Sequence, residues 1–238
     1  MIEELLPDPV VTVETFGDDG FGDAPLYPGE EALVSRAVTK RRREFAAVRA
    51  CARQAMEKLG VAPQPVLNGE GGAPGWPDGL AGSMTHTDGY CAAALVRAHD
   101  LASLGIDAEP HSPLPDDVVP FVFLPDEAGR LRGLTERRPE IHWNRILFSA
   151  KESVYKAWYP LAGKWLDFTE ADIVLDPGPE TAPGAAGAPS GRLRATLLVP
   201  GPVVDGRAVG VFEGRWQVAR GIVTTAVTVP HTSGAAGG

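Results

Sequence analysis

Hydrophobic and polar positions along the chain change period several times, and each change predicts an element. Residues 9–16 (PVVTVETF) alternate and are rich in β-branched side chains, which predicts a strand. A loop of Gly, Asp and Pro follows to about Pro28. From Glu30 to Leu59 the apolar positions Val34, Val38, Phe45, Val48, Ala52, Ala55 and Leu59 recur at steps of three, four and once seven. That spacing predicts an amphipathic helix, broken at most once and ended by Gly60. Residues 60–83 hold four prolines and seven glycines and are expected to be loop. Tyr90–Ala98 and Leu101–Glu109 look like two strands, and the short His99-Asp100 link between them predicts a hairpin.

Pro110 to Pro125 is a proline-punctuated connection around the apolar run Val118–Leu124, and a domain division is expected near residue 110. The expected subdomains are 1–110, with the long helix, a histidine-bearing loop and the GIDAE strand, and 111–238. A short helix is expected to start near Asp126-Glu127, where acidic residues suit the positive helix end. A longer one runs from about Ile141 to Tyr159, with Trp143, Leu147, Ala150, Val154 and Trp158 as its buried stripe and Pro160 to stop it. After Leu175 a low-complexity stretch, 176–191, reads as a mobile loop. Strand patterns at Leu193–Val199, Val209–Gln217 and Ile222–Val229 follow, and the tail from about residue 231 is expected to be disordered. Helices mixed with mostly hairpin-linked strands predict an α+β fold.

Composition narrows the function classes. The 238 residues suit one large domain or two small ones. No apolar run approaches the ~20 residues of a membrane-spanning helix, and the amino terminus shows neither a basic stretch nor an apolar signal core. A net charge of −9 argues against a broad nucleic-acid surface, while leaving room for a local basic pocket. Cys51 and Cys91 lie in alanine-rich runs and read as buried thiols of a reducing compartment, so a cytoplasmic protein is expected.

Four groups of residues could carry chemistry. In Gly105-Ile106-Asp107-Ala108-Glu109 the strand period places Asp107 and Glu109 on one face. Two such carboxylates repel, and a hard divalent cation, magnesium or manganese, would remove the conflict. An isolated D-x-E is more often a solvated sheet edge. In FSAKESVYKAW (148–158) Glu152 and Lys156 share a helical face in the favourable order. Most such pairs are exposed salt bridges, but Phe148 and Tyr159 are odd company for one. Gly82–Tyr90, with Ser83, Thr85 and His86 beside glycines, could present donors to phosphate oxygens. Lys40–Arg43 with Arg49 and Arg53 is the strongest local cluster of positive charge, and arginine suits phosphate.

Together these elements resemble the surfactin-type 4'-phosphopantetheinyl transferases, in the branch related to the enterobactin-synthase activating component. The resemblance rests on RRREFxxxRxCAR at 41–53, WPDGxxGSMTH at 76–86, GIDAE at 105–109 and FSAKESVYKAW at 148–158, in family order and over about half the chain. It implies a pseudo-twofold arrangement of two similar α/β subdomains in a monomer, with coenzyme A between them. The implied reaction moves the phosphopantetheine arm of coenzyme A to a serine of apo acyl carrier and peptidyl carrier proteins of polyketide and nonribosomal peptide biosynthesis. Adenosine 3',5'-bisphosphate is released.

By the same resemblance Asp107, Glu109 and Glu152 hold Mg2+ (or Mn2+), Lys156 holds the pyrophosphate, and Glu152 is the candidate base, directly or through water. Lys151 and His86 contact phosphates, Arg41 and Arg49 the 3'-phosphate end, with Ser83 and Thr85 in the same loop. The arginine register within 41–43 stays open. Thr87 stands where relatives commonly have cysteine, and Asn68 where some have lysine. A metal-dependent coenzyme A pyrophosphate hydrolase and a non-catalytic coenzyme A-binding protein are the competing expectations.

Overall fold

The computed structural model describes residues 1–17, 21–178 and 188–232. Residues 179–187 of the expected mobile loop and 233–238 of the expected disordered tail lie outside the described residues. The chain forms β1 (Val11–Phe16), then α1 (Pro28–Leu33) and α2 (Thr39–Lys58), so the long amphipathic pattern breaks once. Gly60 closes α2 at φ +71°, letting Val61 N–H return to Met56 O at 2.9 Å and Gly60 N–H to Glu57 O at 2.9 Å. β2 (Leu80–Thr87) and β3 (Tyr90–Arg97) come next, and the first sheet has the order β1-β3-β2. α2 buries Cys51, Ala52, Ala55 and Met56 against it.

The expected loop through residue 83, and with it the histidine-bearing loop, is corrected: residues 80–87 are a strand. Its small and polar sequence, LAGSMTHT, hides the pattern. The signal that was present is Asp88-Gly89, a two-residue hairpin turn with Thr87 paired to Tyr90 and Gly89 at φ +72°.

β4 (Ser103–Pro110) is followed by α3 (Val119–Val122), α4 (Pro125–Arg137), α5 (Trp143–Ala162) and β5 (Ala171–Asp176). Then come β6 (Ser190–Leu197), the two-residue strands β7 (Val203–Val204) and β8 (Arg207–Ala208), β9 (Val211–Ala219) and β10 (Ile222–Val229). The second sheet has the order β4-β10-β9-β6-β5, each neighbouring pair antiparallel. Helices with antiparallel sheets make the fold α+β. The expected hairpin of residues 90–98 with 101–109 does not form. β3 already has β1 and β2 on its two edges, and β4 pairs with β10 instead. Nor does Pro160 stop α5: the helix runs two residues further and ends at Gly163 (φ +61°), whose N–H returns to Tyr159 O.

Two contacts place the site. First, α5 lies along β4 in a matched register. Ser103 Oγ donates to Ala157 O at 2.8 Å, Ser149 Oγ to Asp107 Oδ2 at 2.8 Å, and Arg145 Nη1 to Glu109 Oε2 at 3.0 Å. Two residues back along a strand span about 6.6 Å and four residues along a helix about 6 Å, so the two ladders keep step. Gly105 is required between them: a Cβ there would sit 2.0 Å from Ser153 O. Second, the two sheets meet where β2 runs beside β4. Two side-chain hydroxyls join them, Ile106 N–H donating to Ser83 Oγ and Ala108 N–H to Thr85 Oγ1, both at 3.0 Å.

Candidate active site

A cavity of about 290 Å³ opens between α2 and β2 on one side and α5 on the other. One wall carries Arg41, Glu44, Phe45 and Arg49 of α2 and Ser83, Thr85 and His86 of β2; the other carries Glu152, Tyr155, Lys156 and Tyr159 of α5. The loop 67–75 closes one end. Its Gly71, at φ +65°, approaches Tyr159 so closely that a Cβ would lie 2.2 Å from the phenol oxygen.

At the α5 wall, Lys156 Nζ donates to Asp107 Oδ1 at 2.7 Å and to Ile106 O at 3.1 Å. Its third N–H has no partner among the described residues. Behind Asp107, Ser149, Ser153 and Thr225 form a wholly buried hydroxyl cluster, with Ser149 Oγ 2.9 Å and Ser153 Oγ 2.7 Å from Thr225 Oγ1. Burial and the Asp107 charge push the Glu109 carboxyl up to about 7, against the pull of Arg145 and Lys156. Burial and Asp107 also raise Glu152, with Lys156 opposing.

Among the described residues no three His, Cys, Asp or Glu side chains stand together as a ready metal cage. Asp107 and Glu109 are instead engaged by Lys156 and Arg145. The chemistry of the donor set nonetheless fits a hard cation. Burial first, and then the Asp107 charge, hold Glu109 and Glu152 above their ordinary range, and three oxygen-bearing carboxyls suit magnesium or manganese.

On the opposite wall, His86 is held below its usual range by burial and by Arg41, with Glu44 opposing, so the imidazole is neutral at pH 7. Its Nε2 contacts the Arg41 guanidinium and leaves Nδ1 to donate. Arg49 is buried, stacks its guanidinium 3.7 Å from the centroid of the Phe45 ring, and donates from Nη2 to Asn68 Oδ1 at 3.1 Å.

Of the residues singled out from the sequence, Arg41, Arg49, Ser83, Thr85, His86, Glu152 and Lys156 line this cavity, and Asp107 touches Lys156. Glu109 lies one β4 step further along, under Arg145. Lys151 is the correction. It points away from the cleft, 3% exposed, and its ammonium is closed by Phe168 O at 2.6 Å, Ala171 O at 2.9 Å and the buried Glu127 carboxylate at 2.9 Å. A helix turns 100° per residue, and here that step carries Lys151 into the contacts with Glu127, Phe168 and Ala171 while Glu152 lines the cleft. Arg145 and Ser149 escaped the motif reading, although their four-residue spacing puts them on the face of Lys156 and Ser153.

Residues 29–96 match the family model described as the 4'-phosphopantetheinyl transferase N-terminal domain, and residues 103–195 the 4'-phosphopantetheinyl transferase superfamily. The 4'-phosphopantetheinyl transferase Svp of Streptomyces mobaraensis is 52% identical over 99% of this chain and 92% of its own. The chain belongs to the 4'-phosphopantetheinyl transferase superfamily. It is a phosphopantetheinyl transferase enzyme. The transferase Npt of Nocardia iowensis is 43% identical over 95% of the chain and 99% of its own length, and PptT of Mycobacterium tuberculosis 43% over 87% of each. Both family models cover the residues that build the cleft, Arg41 to His86 in the first and Asp107 to Lys156 in the second. Among the described residues of this transferase no helix is long and apolar enough to cross a membrane.

Proposed function

We propose that this transferase moves the 4'-phosphopantetheine arm of coenzyme A to a serine hydroxyl of apo acyl carrier and peptidyl carrier proteins, in the cytoplasm, releasing adenosine 3',5'-bisphosphate. The observation that carries the reading is the cleft itself. A wall carrying the cations Arg41 and Arg49, with neutral His86 and Glu44 between them, faces a wall where Glu152 and a partly free Lys156 sit over Asp107. That is the complement of a ligand with a phosphate at one end and a reacting pyrophosphate at the other.

In this reading the serine oxygen forms a bond to the β-phosphorus, and the bond from that phosphorus to the oxygen of the departing bisphosphate breaks. Glu152 takes the serine proton, directly or through water, and its raised affinity for protons suits that task. The free N–H of Lys156 reaches the pyrophosphate and stabilises negative charge growing on the leaving oxygen. His86 donates from Nδ1 to a phosphate oxygen, Arg41 and Arg49 receive the 3'-phosphate end, and Ser83 and Thr85 flank the pyrophosphate.

Asp107, Glu109 and Glu152 would hold a magnesium or manganese ion. Such an ion supplies the positive charge that the three carboxylates and the pyrophosphate together lack. Beside Glu152 a second recess of about 280 Å³, lined by Tyr155, Trp165, Leu166 and Phe168, offers room for the pantetheine arm. The exposed Phe121 and Trp165 give a carrier protein an apolar contact, needed because a net charge of −9 cannot attract acidic carriers at long range. Each half sets a 20-residue helix, α2 or α5, against an antiparallel sheet. The reading takes them as two pseudo-twofold subdomains divided near residue 110, with β4 contributed across the seam. Both walls come from one chain, so a monomer is sufficient.

Purified protein incubated with coenzyme A, magnesium and an apo carrier protein should add the mass of one phosphopantetheine arm to the carrier, and chelation should abolish the gain. Cleaved coenzyme A with an unmodified carrier would replace this reading with a hydrolase; intact coenzyme A with several unmodified carriers, with a binding protein.

A further inference from the structure

Arg49 is a buried cation in contact with no carboxylate among the described residues. It is 7% exposed, makes no ion pair among the described residues, and its Nε is buried without a hydrogen-bond partner. The neighbouring buried carboxylate, Glu30, is taken by Arg53 at 2.9 Å and by the backbone N–H groups of Tyr27 and Val66. Burial, with Arg41 and Arg53 nearby and Glu30 opposing, brings the guanidinium down to about 10. An unpaired charge this deep is costly unless something outside the chain compensates it.

Two contacts fix its orientation. The Phe45 ring covers one face, and Asn68 Oδ1 accepts from Nη2 at 3.1 Å. Asn68 is itself held on a pinned loop: Gly75 N–H donates to Leu67 O at 2.8 Å, Gly69 N–H to Ala73 O at 2.7 Å, and Asn68 pairs with Pro74. The chemistry of the acceptor matters. An aspartate at this place would hold the guanidinium more strongly but would cancel its charge. A neutral amide oxygen orients the fork and leaves the whole positive charge for a ligand.

We propose that Asn68 is a positioning residue that aims the Arg49 guanidinium at the phosphate monoester of coenzyme A, and so sets a preference for coenzyme A over its 3'-dephospho form. This rests on the reading that the cleft binds coenzyme A. A monoester dianion is the part of that molecule that the planar fork of arginine matches best, and the dephospho form offers only a hydroxyl in its place.

The test compares wild type, Asn68→Ala and Asn68→Asp. Affinities for adenosine 3',5'-bisphosphate and 5'-AMP are measured by calorimetry without a carrier, and KM and kcat for coenzyme A and dephospho-coenzyme A with one. Asn68 is exposed, so neither change threatens the fold. Asn68→Ala should weaken the bisphosphate about tenfold while moving 5'-AMP less than twofold, because the guanidinium loses the contact that orients it toward the 3'-phosphate. With carrier present the loss should appear in KM for coenzyme A and not in kcat. Asn68→Asp should cost at least as much, because it neutralises the arginine. Equal losses for both nucleotides, no loss for either, or a wild type that does not distinguish them would overturn the assignment. A wild type that binds and discriminates the nucleotides but modifies no carrier would refute the transferase reaction while leaving the role of Asn68 standing.

Discussion

Lys151 separates what its motif suggests from what its surroundings allow, and the Lys151→Met variant decides between them. Its side chain is 2% exposed and Glu127 0%. Besides the lysine, the Glu127 carboxylate accepts from Leu124 N–H and Ile173 N–H, both at 2.8 Å, so the pair ties α5 to the start of α4 and to β5. Removing one partner strands the other as a buried charge, which costs about 3–5 kcal/mol. In a chain of this size that corresponds to a melting temperature lower by about 10 °C. Glu127→Gln should cost a similar amount. The double variant strands neither charge, so it should be less destabilised than the sum of the singles by at least about 2 kcal/mol. Calorimetric melting of the four proteins gives that coupling. KM for coenzyme A in the double variant should stay within about twofold of wild type. Additive losses, or a KM raised tenfold in the double variant, would refute the reasoning and return Lys151 to the phosphate.

Glu152→Gln should lower carrier modification by at least about a hundredfold, with a melting temperature no lower than wild type because a raised carboxyl is removed from a half-buried place; near-normal transfer would remove its role as base. The folded Glu109 carboxyl sits at about 7, above its ordinary 4.5, so its ionisation destabilises the fold as pH rises between those values, by about 3 kcal/mol once complete. Metal-free wild type minus Glu109→Gln, which cancels the other titrating groups, should therefore fall from pH 4.5 to 7 and level above, and magnesium should recover the most stability near pH 8. A flat difference curve counts against this. Gly105→Ala should cost about 3 kcal/mol or more and misplace Asp107, since the added methyl meets Ser153 O; unchanged melting would mean that α5 can lift off β4 freely.

How much of this was legible depends on whether the information is local. The α2 and α5 stripes repeat at helical spacing and announced both helices, with the break before Thr39 allowed for and the end of α5 misplaced by three residues. Pro160 sits in the last turn, and the left-handed Gly163 is what ends the helix. Strand β10 was legible because its β-branched run is buried on both faces. β2 was not, because in LAGSMTHT only Leu80 and Met84 are large and apolar, too few for an alternation to show. Pairing was illegible for another reason. The two-residue link between residues 98 and 101 predicts a hairpin locally, but β3 was already flanked and β4 was needed under α5. For the site, residue types and order were readable, while direction was not: Lys151 and Glu152 stand together in the motif, yet Lys151 turns to Glu127 and Glu152 to the cleft.

The seam between β2 and β4 shows why a structural and a binding role need not compete at one hydroxyl. Neighbouring strands in a sheet normally satisfy each other's amides through the backbone. Here Ser83 Oγ and Thr85 Oγ1 accept the N–H groups of Ile106 and Ala108. Accepting uses an oxygen lone pair and leaves each hydroxyl its own proton to donate. The Ser83 proton has no acceptor among the described residues, and Ser83 lines the cavity, so this hydroxyl can hold the seam and donate to a phosphate oxygen at once. Thr85 is already aimed at Asp107 Oδ1, at the long distance of 3.4 Å. It can turn to a ligand only by releasing that carboxylate oxygen, which Lys156 also holds. Ser83→Ala and Thr85→Val therefore each lose one seam contact, to Ile106 and Ala108 respectively, but should differ in substrate binding: the serine change weakens it, and the threonine change acts through the placement of Asp107.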